Sequence, residues 1–213
     1  MQNSRINKHF LDNGYLRCPY EHSFYIKTNG HGDILVVYLY KDDLIFTENC
    51  ASMFEDLKKV MTQEFEMTDI GPMSYYLPIE VKQLEEGIFI SQERYTREML
   101  EKFNMINSKS VTTPIENGTK LSKYEKGDDV DPSYFKSLVG SLKYLTCTPL
   151  NILFSIGLVS RFTESPTTTH LKVAKRILRY LKCTLDYGLF YSSSKEFKFE
   201  GYCDSDWARD TND

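Results

Sequence analysis

Apolar residues recur along this chain first with a period of two and later with a period near 3.6, and the change of rhythm divides it. Near the start, Ile6, Phe10 and Leu11 predict the apolar side of a short helix that Ser4 caps and Gly14 ends. A strand over 23–28 and an Asn-Gly turn follow. Two apolar runs then flank a polar tetrad: Ile34-Leu35-Val36-Val37-Tyr38-Leu39 before Tyr40-Lys41-Asp42-Asp43, and Leu44-Ile45-Phe46-Thr47 after it. They read as adjacent strands with the acids at the turn. Met53, Leu57, Val60, Met61 and Phe65 predict a helix over 51–65 packed on the sheet. Two further runs, 75–81 and 88–90, read as strands joined by Glu85-Glu86-Gly87. The first part is therefore a β-α-β-β arrangement, an α+β pattern.

After Ser91 the helical rhythm takes over. Tyr95, Met99, Leu100 and Phe103 mark a helix with Ser91 as its cap, and a polar loop over about 107–130 follows. Three helices are predicted next, over 131–146, 151–164 and 167–183. Asp131-Pro132 opens the first, since Asp accepts free N–H groups and Pro suits the first turn; Asn151 and Thr167 stand as caps for the others. Strand-like segments 188–191 and 197–203 close the chain, and no internal repeat is visible.

Two elements carry chemistry. A tight hairpin lifts Asp42 and Asp43 out of a sheet with little freedom to move, the arrangement in which carboxylates clamp divalent metals. Asp is also an ordinary turn residue, so a plain polar turn fits the same pattern. On the last predicted helix, Lys172, Lys175, Arg176, Arg179 and Lys182 share one side, with Leu171, Ala174, Leu178 and Leu181 opposite and Ile177 at the margin. Such a row is either a solvated face or a contact surface for phosphates. No acid on that helix accompanies the five cations, so i,i+4 pairing does not explain them.

Composition narrows the class. With 213 residues, 41% hydrophobic and 14% aromatic, the chain can bury a real core. Cys18, Cys50, Cys147, Cys183 and Cys203 are odd in number, scattered, and without a CxxC pair, which argues against a disulfide framework or a zinc site and fits a reducing, cytoplasmic setting. His31 lies in the turn Asn29-Gly30-His31-Gly32-Asp33 and reads as a turn residue. No apolar stretch is long enough to span a bilayer, and no secretory leader is visible. The net charge of −4 hides an asymmetry: residues 132–200 hold ten Lys or Arg against four Asp or Glu, leaving −10 for the rest. One face is thus suited to an anionic partner.

Several stretches extend these readings: Cys18-Pro19-Tyr20-Glu21-His22, 39–47, Phe65-Glu66-Met67-Thr68-Asp69-Ile70-Gly71, Met73-Ser74-Tyr75-Tyr76-Leu77, 136–146, 174–180, and Gly201-Tyr202-Cys203-Asp204-Ser205-Asp206-Trp207-Ala208. In this order they resemble the Pol polyprotein of copia-type LTR retrotransposons, over essentially the whole chain. The resemblance implies a partial reverse-transcriptase palm, an antiparallel sheet with helices, over 1–91. A helical thumb over 92–184 and the first strands of a ribonuclease H-like domain over 185–213 follow. It implies that Tyr40–Asp43 is the YxDD motif, with Asp42 the main ligand of Mg2+, Asp43 its neighbour, and Tyr40 near the primer–template. Tyr76 and Leu77 would support the primer end. Asp204 would be the first ribonuclease H carboxylate. The partners implied are an RNA or DNA template–primer duplex, dNTPs and the remainder of a Pol polyprotein, with Lys172, Lys175, Arg176 and Arg179 on the phosphates.

The chain also departs from that family. The palm's other metal-binding aspartate comes from a strand upstream of the hairpin, together with the fingers, and nothing before Ser4 matches them. Lys41 stands where the motif carries a small or apolar residue, and Pro78 where the family has Gly. Thr148-Pro149-Leu150-Asn151-Ile152 replaces Thr-Arg-Pro-Asp-Ile. The expectation is a truncated copy that does not polymerise alone.

Overall fold

The computed structural model describes residues 2–124, 126–145 and 150–194, and the chain divides into two units between Met73 and Ser74. In the first unit, helix α1 (Gln2–Asp12) precedes β1 (Leu16–Arg17), β2 (Phe24–Thr28), β3 (Ile34–Tyr40), β4 (Asp43–Glu48) and helix α2 (Ala51–Phe65). The strands form an antiparallel sheet in chain order, β1-β2-β3-β4. Alternation along β3 decides which face is covered: Leu35, Val37 and Leu39 are buried among Ile6, Phe10, Tyr25 and the Leu57, Met61 and Phe65 stripe of α2. Phe10 packs between Tyr15 and Tyr25 at 4.7 and 4.9 Å between ring centres. Leu11 is exposed, against expectation, because one residue further along a helix turns about 100° away from Phe10. Helix α2 has the predicted limits and stops where Glu66 turns left-handed (φ 56°).

Asn29 shapes the turn before β3: its Oδ1 accepts from the N–H groups of His31 and Asp33, and its Nδ2 donates to the Asp33 carboxylate at 2.7 Å. His31 is an exposed turn residue, as its glycine-rich surroundings suggest.

The second unit opens with β5 (Tyr75–Tyr76), β6 (Ile79–Leu84) and β7 (Gly87–Ser91). Helices α3 (Glu93–Lys102), α4 (Pro132–Tyr144), α5 (Leu153–Ser160) and α6 (Thr168–Cys183) follow, with a 3-10 turn at Leu150–Ile152 before α5. Strand β8 (Gly188–Ser192) then returns to pair antiparallel with β7, giving the sheet order β5-β6-β7-β8. The pairing requires glycine at both ends. A Cβ on Gly87 would lie 2.1 Å from the Tyr191 carbonyl oxygen, and one on Gly188 would lie 2.2 Å from that of Ile90. This geometric partition differs from the 1–91, 92–184 and 185–213 division expected from the resemblance. The expected strand over 197–203 lies outside the described residues.

The run expected as one strand over 75–81 is two strands. Tyr76 faces Ile79 across a two-residue turn, Leu77-Pro78, where proline's missing N–H interrupts no ladder. Gln92 rather than Ser91 precedes α3, because Ser91 still belongs to β7. Asp131 caps α4 as expected, its carboxylate accepting from the N–H groups of Ser133 and Tyr134. Asn151 does not cap α5: it sits in the 3-10 turn with its amide on the Tyr180 hydroxyl. α5 ends at Ser160 because Arg161 and Phe162 bond three residues back, tightening the chain out of the α-helix.

Thr167 precedes α6, and its N–H donates to Nδ1 of the fully buried His170 at 3.0 Å. Because Nδ1 accepts, the ring's own hydrogen lies on Nε2, 3.1 Å from the Ser122 carbonyl. Phe162 stacks on this ring at 4.2 Å. The four helices share a core in which Leu100, Phe135, Leu138, Leu142, Ile156, Ile177 and Leu178 are at most 2% exposed. Ile177 thus lies at the centre of the buried stripe, not at its margin. Among the described residues no helix is long and apolar enough to cross a membrane.

Candidate functional site

The acidic hairpin is built by β3 and β4. Tyr40 faces Asp43 in the last registered pair, so Lys41 and Asp42 form a two-residue turn. Lys41 takes a left-handed backbone (φ 51°), a conformation that costs an L residue other than Gly or Asn about 1–2 kcal/mol. Asp42 and Asp43 are both exposed. The Lys41 ammonium folds back over the Tyr40 ring, 5.5 Å from its centre, and makes no ion pair with Asp42. The hairpin therefore presents two neighbouring carboxylates. Among the described residues no group of three or more His, Cys, Asp or Glu is placed to hold a metal ion. Two adjacent carboxylates do not by themselves fit a pair of Mg2+ ions, which needs ligands converging from more than one side.

Tyr76 and Leu77, expected near a primer end, belong to the second unit. Tyr76 is half-buried, and Leu77 is exposed at the first turn position with φ 54°. Each hairpin of interest thus holds a non-glycine residue in the left-handed region at the same turn position. Asp204 lies outside the described residues.

The cationic row on α6 is where structure changes the reading most. Val111 N–H donates to the Arg179 carbonyl, laying the loop before α4 along the helix. From that loop, Glu116 accepts from Arg176 Nη1 at 2.6 Å and Thr113 Oγ1 from Nη2 at 3.0 Å. Arg179 Nε donates to the Lys109 carbonyl at 2.6 Å and Lys182 Nζ to the Ser108 carbonyl at 2.7 Å. Three of the five cations hold the loop. Lys172 and Lys175 have no hydrogen-bond or ion-pair partner among the described residues. They line, with Arg176, Arg179, Glu116 and Thr119, a groove of about 460 Å³. The row is neither a bare solvated face nor five free phosphate contacts.

Sequence reasoning missed the loop residues. One signal was present: Glu116 is the only acid between Lys102 and Tyr124. The carbonyls of Ser108 and Lys109 carry no side-chain signature at all. Cys18, Cys50 and Cys183 are free thiols, while Cys147 and Cys203 lie outside the described residues.

Comparison with known proteins gives the hairpin its context. Residues 1–117 match the family profile "reverse transcriptase (RNA-dependent DNA polymerase)". The chain is 33% identical over 208 residues to the retrovirus-related Pol polyprotein from transposon RE1 of Arabidopsis thaliana, covering 98% of this chain and 14% of that protein. It is 34% identical over 206 residues to the Pol polyprotein from transposon TNT 1-94 of Nicotiana tabacum, covering 92% of this chain and 15% of that one. An uncharacterized mitochondrial protein of Arabidopsis thaliana is 33% identical over 174 residues, 80% of this chain and 70% of its own length. The chain thus spans about one-seventh of the Pol polyproteins it matches. No solved structure matches it. With an exposed Asp-Asp hairpin inside the matched residues, and Pol likeness along nearly its whole length, the chain belongs to the reverse transcriptase family of copia-type retrotransposon Pol polyproteins.

Proposed function

We propose that the chain is the catalytic-hairpin and helical part of a copia-type reverse transcriptase, whose family reaction is Mg2+-dependent addition of dNTPs to a primer 3′ end on an RNA or DNA template. Residues 1–91 would be palm, 92–184 thumb and 185–213 the opening of ribonuclease H, working inside the cell with the rest of a Pol polyprotein. The observation that carries this reading is the hairpin register, which faces Tyr40 with Asp43 and leaves both carboxylates exposed at a turn of fixed geometry. When bound, Mg2+ would supply charge to polarise the reacting oxygens. This chain's own contribution is to hold the Asp42 and Asp43 carboxylates beside Tyr40, while Lys172, Lys175 and Arg176 would contact template–primer phosphates.

Because the described residues gather no third ligand, the chain alone is expected to bind nucleic acid without extending a primer. Primer extension with Mg2+ or Mn2+ tests this directly. Incorporation above background that vanishes in Asp42→Asn would show a working polymerase. A second reading, a non-catalytic nucleic-acid-binding fragment, is favoured by the same missing ligand together with the free lysines of α6. Salt-dependent duplex binding with no extension would favour it; failure to bind any nucleic acid would leave a relic of the family.

A further inference from the structure

We propose that Asn117 is a site of spontaneous covalent modification, at which the side-chain amide is lost by ring closure onto the backbone nitrogen of Gly118. The chain holds three Asn-Gly pairs, at 13–14, 29–30 and 117–118. Asparagine is thermally labile, and a following glycine has no side chain to screen the next backbone nitrogen. As dipeptides the three pairs are alike. The fold separates them.

At Asn29 the amide is committed on both sides. Its Oδ1 accepts from the N–H groups of His31 and Asp33, each at 3.0 Å, and its Nδ2 donates to the Asp33 carboxylate at 2.7 Å. These bonds restrain the side chain from swinging its Cγ onto the Gly30 nitrogen. At Asn13 both reacting groups are held: Nδ2 donates to the His9 carbonyl at 2.8 Å, and the Gly14 N–H to the Leu11 carbonyl at 3.4 Å. Asn117 is different. It is exposed in a turn with fixed ends, because the Glu116 carbonyl accepts from the Thr119 N–H at 3.1 Å and from its hydroxyl at 2.7 Å. Between those ends, neither the Asn117 amide nor the Gly118 N–H has a hydrogen-bond partner among the described residues. Apart from its chain neighbours, nothing lies within 4 Å of the point where a Cβ on Gly118 would sit. The nitrogen is open to attack the side chain before it.

The reaction balances with water as its only co-reactant. The Gly118 nitrogen gives its proton to solvent and bonds to Asn117 Cγ, closing a five-membered imide. The Cγ–Nδ2 bond breaks, and that nitrogen takes a proton from solvent and leaves as ammonia. Water then opens the ring. Addition at Cγ gives aspartate, whereas addition at the main-chain carbonyl gives isoaspartate, with one extra carbon in the backbone. Either product adds a negative charge next to Glu116, which holds Arg176 and lines the groove with Lys172 and Lys175. The isoaspartate also lengthens the turn, so that Thr119 loses its place on the Glu116 carbonyl.

The test ages the intact chain at neutral pH, in buffer and in urea, and follows the three pairs by peptide mass spectrometry. In buffer Asn117 should convert first, with Asn13 and Asn29 at least about tenfold slower, since each bond that must open adds to the barrier. In urea the three should convert at similar rates, because the bonds that set them apart are gone. Labelling by an isoaspartyl methyltransferase should mark the 117–118 peptide of the folded chain. Asn117→Gln should abolish that label, its longer side chain being unable to close the five-membered ring. Similar rates at all three pairs in buffer overturn the proposal. So does the buffer ranking persisting in urea, since neighbouring sequence rather than the fold would then set the order. In the isoaspartate fraction the Thr119 amide should exchange with solvent faster than in fresh protein; equal exchange would overturn the predicted loosening of the turn.

Discussion

The hairpin of the first unit and helix α6 of the second carry charge for opposite structural reasons. Asp42 and Asp43 sit at an exposed turn where, among the described residues, no side chain pairs with their carboxylates. Arg176, Arg179 and Lys182 are tied into the loop before α4, so the fold uses most of the charge that looked available. A row of like charges on a helix therefore does not indicate a ligand until the partners from outside the helix are counted. Exposed acids on a rigid turn keep their chemistry free because they stabilise nothing.

This contrast can be broken by mutation. Leu178→Ala, in the core beneath the row, sets the upper end of the scale at about 2–5 kcal/mol of lost stability in urea unfolding of the second unit. Arg179→Met should cost about 1.5–3 kcal/mol, because the Lys109 carbonyl loses a charged donor; a change under about 0.5 kcal/mol would show that the row is solvated after all. Asp42→Asn and Asp43→Asn should alter stability by no more than about 0.5 kcal/mol, and a larger loss would show that the acids are structural.

The smallest effect concerns Asp69, just beyond α2. Its hydrogen bond from Lys58 at 2.9 Å, and then the N–H of Gly71, hold its carboxyl below the ordinary value, while Lys58 is raised by the same pair. A depressed carboxyl stabilises the fold above the unfolded value of about 3.9, and that contribution is lost as pH falls through the lower folded value. Both groups are solvent-facing, so the effect belongs in an NMR titration, where Lys58→Met should return Asp69 toward its ordinary midpoint.

Much of the fold was legible where one signal dominated. The 3.6-residue rhythm fixed α2 at Ala51–Phe65, and Asp131-Pro132 fixed the start of α4. The break at Leu77-Pro78 was announced by the proline, although the apolar run around it read as a single strand. The burial of His170 and Ile177 depended on which helices close over α6, which no single segment encodes. The site was legible as residue types and not as occupancy. Sequence shows that Arg179 is cationic, but its partner is the carbonyl of Lys109, and every residue has a carbonyl. Lys41, noted in the sequence only as a departure from the small or apolar residue of the motif, takes a left-handed backbone and lays its ammonium over the Tyr40 ring, a placement that the residue type alone does not encode.

The return of β8 to β7 has a consequence for the order in which the second unit folds. The Ser193 hydroxyl donates to the Glu85 carbonyl 108 residues away along the chain, so this edge closes a very long loop. Hydrogen bonds within α3 to α6 need only local closure, and their shared core shortens the path before β8 must find its place. Assembly is therefore expected to run from helices to strand. In pulse-labelled hydrogen exchange during refolding, the α6 amides should become protected before the Ser193 amide, which binds the Glu86 carbonyl at 2.8 Å. Simultaneous protection would mean that strand and helices form one cooperative nucleus. With glycine required at both ends of that ladder, a single side chain at Gly87 or Gly188 would stop folding at its last step and leave the helical core assembled without its edge.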